Sequence, residues 1–368
     1  MLSHAIRFLV AAAALSSGAG AIGLTPAQPA GGTRGTAADI PFDFRTRQPI
    51  VPVALNGGAA VPFVVDTGAS IHIVDREVAR LAKLGDGRDI PMRGGGEATV
   101  ATQWVGNVTF AFGGRSWPAQ RAALAPLGYP DRKHFAGLIG APILMQYAVR
   151  FDFPAQRLQL LDPATYEPPA GALRVPFELQ DDLPVVRVTV DAGGGPVIAR
   201  LMVDTGASTS IDLNRPFVDR HGLLHALPEA TAADRPAAIG GTAPFLYATG
   251  RRAAIDGDSL DAAGRRTAGS VVFDRPRLGL SRAQTGSSAS DARDGIIGNE
   301  LLRRYVMTVD YRRRTLVLAV SERPRSPRDR LSHRRTRRHV PQASMSRLTT
   351  SGWLARCKDS PCRPLTLR

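Results

Sequence analysis

Cysteine is nearly missing from this 368-residue chain: there are two, Cys357 and Cys362, both close to the C-terminus. No disulfide or thiolate metal site can form between Met1 and Arg356, so the bulk of the fold must stand on packing and hydrogen bonds. A Cys357–Cys362 ring would be local, and a zinc site there would have only His333 and His339 nearby in sequence. Aromatics are scarce at 6%. Beyond the N-terminus no run reaches ~18 consecutive apolar residues, which excludes a polytopic membrane protein. The 37 glycines and 28 prolines follow no Gly-X-Y period, which excludes collagen. The seven histidines contain no His-Glu-x-x-His pair, and no phosphate loop or dinucleotide fingerprint occurs. His72, His221 and His225 read as surface or packing residues, and no metal or cofactor is expected.

The net charge of +15 points to nucleic acid only until the charges are located. Residues 321–368 hold 13 of the 47 basic and 3 of the 32 acidic residues, so the remainder carries only five excess positive charges. That stretch is expected to be a basic, disordered tail. Apart from Trp353 it has no aromatics to interleave with its arginines, so no nucleic-acid partner is expected. At the other end Arg7 precedes the apolar run Phe8 to Leu15, and small residues follow to Ala19-Gly20-Ala21. The expectation is a signal peptide over 1–21, cleaved after Ala21, and a periplasmic or secreted protein without a stable membrane span. Residues 22–40, rich in Pro, Gly, Ala and Thr, read as a linker.

An internal repeat organises what lies between. Phe63-Val64-Val65-Asp66-Thr67-Gly68-Ala69-Ser70 returns as Leu201-Met202-Val203-Asp204-Thr205-Gly206-Ala207-Ser208, displaced by 138 residues. Gly137-Leu138-Ile139-Gly140 returns as Gly295-Ile296-Ile297-Gly298, displaced by 158, and the register then holds for Tyr147 with Tyr305, Asp152 with Asp310 and Leu158 with Leu316. The additional residues of the second copy read as enlarged surface loops, Asp256 to Arg266 and Ser281 to Arg293. Alternating Val51, Val53, Leu55 and Val186, Val188, Val190, each before a glycine cluster, predict a hairpin that feeds a buried strand ending on the aspartate. Short helices are expected over Pro142 to Tyr147 and Asn299 to Tyr305, with strand-turn-strand patterns over Val149 to Leu161 and Met307 to Val320. Asp152 and Asp310 read as turn or ion-pair residues.

Asp-Thr-Gly-Ala-Ser after an apolar strand, followed by an apolar-apolar-Gly and a short helix, resembles the lobe of an aspartic peptidase of the retropepsin-like kind, here present twice. The resemblance implies a mainly β, bilobal, pepsin-like acid protease fold: two homologous retropepsin-like β-barrel lobes over 41–165 and 173–320. It further implies that Asp66 and Asp204 are a catalytic pair. Thr67 and Thr205 would make cross-lobe hydroxyl-to-backbone bonds, Gly68 and Gly206 would allow close approach, and Ser70 and Ser208 would bond the outer carboxylate oxygens.

Two carboxyls within hydrogen-bond distance cannot both ionise cheaply, so they share a proton and can act as base and acid together. Aspartic peptidases are the standard illustration of this coupling. The implied activity is endopeptidic hydrolysis of a peptide or protein substrate by an activated water, in a single chain whose lobes pair intramolecularly. Which aspartate holds the proton stays open. Gly94-Gly95-Gly96 and Gly240-Gly241 are candidate flap tips over the cleft or, equally, ordinary turns. The chain departs from the pepsin pattern in Ala69 and Ala207, in lacking disulfides and in showing no evident flap tyrosine in the first lobe. The alternatives are a peptidase active only as a homodimer and a noncatalytic peptide- or cell-envelope-binding module with the same cleft.

Overall fold

In the computed structural model, residues 35–320 are described except 86, 128–134, 238 and 262. The expected leader over 1–21 and the basic tail lie outside the described residues. The fold is mainly β, as its alternating Val, Ile and Phe positions require.

In the first copy, Ile50–Leu55 and Ala60–Val65 form the predicted hairpin, with Val51, Val53, Phe63 and Val65 all buried. Sheet order then runs through Gly137–Ile139, His72–Asp75, Arg115–Ala125 and Thr99–Phe112 to the edge strand Arg88–Arg93. Thr99–Phe112 also pairs back onto Ile50–Leu55 through Ala54 with Ala111 and Leu55 with Phe110. That pairing closes six strands into a barrel and removes two exposed edges. Phe63 and Phe110 meet edge to face inside it, at a centroid distance of 6.0 Å.

The second copy repeats the same strand order, from Leu183–Asp191 and Pro196–Asp204 through Gly295–Gly298, Ile211–Leu213, Arg277–Ser281 and Thr242–Thr249 to Thr231–Pro236. Its extra residues differ from the expectation. Asp256 to Arg266 is largely the distal part of a β-hairpin, Arg252–Leu260 with Arg266–Asp274, rather than a surface loop. The polar and charged side chains of that stretch hide its pairing, because a hairpin whose side chains are at most half-buried shows no apolar alternation.

The copies join through Ala148–Asp152 and Val306–Asp310, an antiparallel pair centred on Arg150 opposite Thr308. Those two positions are equivalent in the 158-residue register, so the junction is a local two-fold. Arg157–Leu161 and Thr315–Ala319 flank it on either side, with Asp152 and Asp310 capping the connecting turns by accepting from Ala155 N and Arg313 N. Thr36–Pro41 ends this sheet on one side, and on the other Leu173–Pro176 pairs with both Thr315–Ala319 and Arg252–Leu260, carrying the sheet on into the second copy. The end of the segment read as linker, 36–40, is thus a strand paired with Arg157–Leu161 and burying Ala38 and Ile40. Its alternation is too short to be distinguished from the Ala- and Thr-rich residues before it.

His72 lies fully buried beside the Phe110 ring at 4.7 Å, and its Nδ1 accepts from Gly140 N at 3.1 Å. Burial lowers its pKa from 6.5 to about 4. The unfolded chain therefore takes up a proton between those values that the fold refuses, and stability falls as pH drops from 6.5 toward 4, by about 3 kcal/mol. His72→Gln should flatten this acid limb in urea titrations run at stepped pH.

Candidate active site

Both aspartates stand where a buried strand turns. Asp66 follows Ala60–Val65, with its own N–H bonded to Ile139 O, and Asp204 ends Pro196–Asp204, which lies parallel to Gly295–Gly298. The two loops are locked together symmetrically. Thr67 Oγ1 donates to Val203 O at 2.7 Å and accepts from Thr205 N at 3.0 Å; Thr205 Oγ1 donates to Val65 O at 2.7 Å and accepts from Thr67 N at 3.0 Å. All of these groups are buried, so each of the four bonds satisfies atoms that have no route to water.

Gly68 and Gly206 serve close approach rather than an unusual backbone angle, since neither has positive φ. A Cβ on Gly68 would stand 2.6 Å from Asp204 Cγ, and one on Gly206 would stand 2.5 Å from Asp66 Cγ. Each glycine thus packs against the other copy's carboxyl. Gly206→Ala is expected to push the carboxyls apart and cut turnover at least tenfold while the far-ultraviolet spectrum stays that of the wild type; kinetics and circular dichroism together check it.

Asp66 is 8% exposed, and its Oδ1 accepts from Gly68 N at 2.8 Å. Burial, and then the charge of Asp204, raise its pKa well above the usual carboxylate value. Asp204 is also raised by burial, but Arg235 and a hydrogen bond from Asp66 oppose the shift. Both carboxyls are thus held above the ordinary range by burial, with Arg235 opposing the shift at Asp204. Asp204 Oδ1 is buried with no hydrogen-bond partner among the described residues.

Ser70 and Ser208 do not bond the carboxylates; no such hydrogen bond exists among the described residues, and Ser208 is exposed. The hydrogen-bond donor at Asp66 Oδ1 is the Gly68 amide. The cleft around the pair encloses about 640 Å³. Gly94 and Gly95 line it at the turn between Arg88–Arg93 and Thr99–Phe112, as do Ala237 and Ile239 before Gly240 in the second copy. The two hairpin tips meet: Gly96 N donates to Ile239 O, Ala98 N to Gly240 O and Glu97 N to Thr242 O, each at 3.0 Å. A Cβ on Gly96 would collide with the Gly240 backbone, whereas one on Gly241 would meet nothing. Ser281 to Arg293 is likewise no free loop, since Thr285 Oγ1 donates to Glu97 O and Ser287 N to Gly94 O. Asn214 Nδ2 secures it from below through Ser287 O, Ser290 O and Arg293 O.

Sequence reasoning missed several site residues. Gln48 Nε2 donates to Gly206 O at 2.6 Å, while Asn299 Nδ2 donates to Thr205 O at 2.7 Å and Arg47 O at 2.8 Å. Arg235 reaches Asp212 with Nε 3.4 Å from Oδ2, and Asp212 is held above its usual pKa by burial. The usable signal was contrast between the copies: Asn299 stands where the first copy has Ala141. Among the described residues no group of three or more His, Cys, Asp or Glu side chains could hold a metal.

Residues 51–143 match the family model described as Aspartyl protease, a stretch that contains Asp66-Thr67-Gly68 and Gly137 to Gly140. The match supports an aspartic peptidase of the retropepsin-like kind. No curated protein matches the chain.

Proposed function

We propose that the protein is an aspartic endopeptidase built from two homologous retropepsin-like lobes, with Asp66 and Asp204 as its catalytic pair. The observation that carries this reading is the buried carboxyl pair, one from each copy, clamped by reciprocal threonine bonds within a single chain. That intramolecular pairing favours a monomer over a homodimer as the active species. The family match over the first copy adds to it.

In the proposed cycle Asp204, kept more acidic by Arg235, takes a proton from a water while that water attacks the scissile carbonyl. Asp66 donates its proton to the carbonyl oxygen, and the tetrahedral carbon then collapses with proton transfer to the leaving amine. Atoms balance without a covalent enzyme intermediate. The paired Gly94–Gly96 and Gly240–Gly241 hairpins serve as flaps that hold an extended peptide in the cleft and exclude water. The N-terminal apolar run supports export to the periplasm or beyond.

The test is peptide turnover with a statine-type analogue, whose hydroxyl imitates the tetrahedral carbon, as inhibitor. Tight inhibition with insensitivity to EDTA is expected. A folded protein that neither cleaves peptides nor binds the analogue would leave the reading without support.

A further inference from the structure

The two sides of the cleft are built from equivalent positions but differ in chemistry at several of them. On the Asp66 side Ile71, Ile73, Met92 and Leu138 line the space, backed by a buried apolar cluster that includes Phe135. The strand pairings identify their counterparts. Ile73 pairs with Leu138, and Asp212 pairs with the matching Ile296, so Asp212 stands where the first copy has Ile73. The carbonyls of Ile71 and Thr209 occupy the same place against Gly140 and Gly298. Met92 and Arg235 are each fifth in the six-residue strand entering a flap. Arg293 matches Phe135 in the 158-residue register. Four positions therefore change from apolar to polar or charged across the local two-fold: Ile71 to Thr209, Ile73 to Asp212, Met92 to Arg235 and Phe135 to Arg293.

Hydrogen bonding on this wall is uneven. Arg235 is engaged, with Asp212 beside Nε, Ser288 Oγ at 3.3 Å from Nη2 and the Phe245 ring under its guanidinium at 5.0 Å. Arg277 lies over Tyr247 at 3.9 Å. Arg293 also lines the cleft; among the described residues its guanidinium makes no side-chain hydrogen bond and its Nη1 is buried without a partner, Asp181 and Asp204 being the carboxylates near enough to act on its charge. Gly279 fits the same design, because a Cβ there would stand 2.2 Å from Asp212 Oδ1, so the strand leaves room for the carboxylate that orients Arg235. Arg93 and Asp234, one of each sign, border the cleft only at its exposed rim. A half-buried guanidinium in the cleft wall with one buried N–H group left without an acceptor offers a charge-assisted hydrogen bond to an anionic group of the ligand.

We infer that the cleft selects peptides asymmetrically, taking an apolar side chain against the Asp66 copy and a carboxylate side chain, Glu or Asp, against Arg293 of the Asp204 copy. This rests on the hydrolase reading and names its substrate class. Arg293 is the specificity residue; Asp212, through Arg235, is a positioning residue.

The experiment compares octapeptides with a central Leu-Glu or Glu-Leu against their Gln counterparts at pH 6, where free Glu is ionised. Wild type should cleave the Glu member about tenfold faster in kcat/KM in one of the two orders, as a charge-assisted bond would give. In Arg293→Gln and Arg293→Met the Glu-to-Gln ratio should fall below about threefold, a ratio within each variant that a general loss of activity does not move. A wild-type ratio near one in both orders, or a ratio unchanged in both variants, overturns the inference. If wild type cleaves nothing, hydrolysis fails separately, and fluorescence anisotropy with the same peptides reads the same ratio as relative Kd.

Discussion

Asp66→Asn should lose at least about a thousandfold in kcat/KM, the scale of removing a general acid from a reaction that depends on one, and should nonetheless fold at least as stably as wild type at pH 7. The two effects have one origin. Burial and the neighbouring Asp204 raise the Asp66 pKa in the folded state. The fold therefore binds a proton that the unfolded carboxyl, at 3.8, has already released, and stability declines as pH rises from 3.8 through the folded value. Asparagine removes that cost while its side-chain oxygen can still accept from Gly68 N. Asp204→Asn should be equally inactive but gain less stability, because Arg235 already offsets part of the cost of burying Asp204. Thermal denaturation from pH 3 to 8, run beside peptide kinetics, checks both; a variant that hydrolyses at the wild-type rate defeats the proposed mechanism.

Thr67→Val should destabilise by about 2–5 kcal/mol, a large part of the ~5–15 kcal/mol that holds a typical domain. Valine matches threonine in shape but strands two buried groups, Val203 O and Thr205 N, that the Thr67 hydroxyl now satisfies. Thr205→Val strands Val65 O and Thr67 N by the same logic. The double variant should cost less than the sum, since the four bonds form one closed network that either change already opens. Thr67→Ser, which keeps the hydroxyl, should lose about 1 kcal/mol. Urea unfolding of the four variants measures the coupling, and additive losses would show that the loops are held by something other than these hydroxyls.

The strands were legible wherever one face is buried, as at Val51, Val53 and Leu55 or Val186, Val188 and Val190, because burial writes a two-residue period into the chain. The distal hairpin around Asp256 to Arg266 and the strand at 36–40 were not, one because both faces are polar and the other because it is short. The seryl role failed for a related reason. Ser70 and Ser208 repeat faithfully, but whether a hydroxyl reaches a carboxylate depends on side-chain direction, and here a backbone amide is the donor.

Repetition of Asp-Thr-Gly-Ala-Ser determined, from sequence alone, that two aspartates would sit in matched turns, since identical short motifs after similarly apolar strands obey the same local physics. It could not say which one holds the proton or what the cleft prefers. Both depend on Arg235, Asp212, Arg293 and the crossing of Gly94–Gly96 with Gly240–Gly241, contacts between residues more than a hundred positions apart or outside the repeated motif. A residue's charge is written in the sequence, but its effect on a carboxyl falls off with distance through a buried medium, and only the folded chain sets that distance.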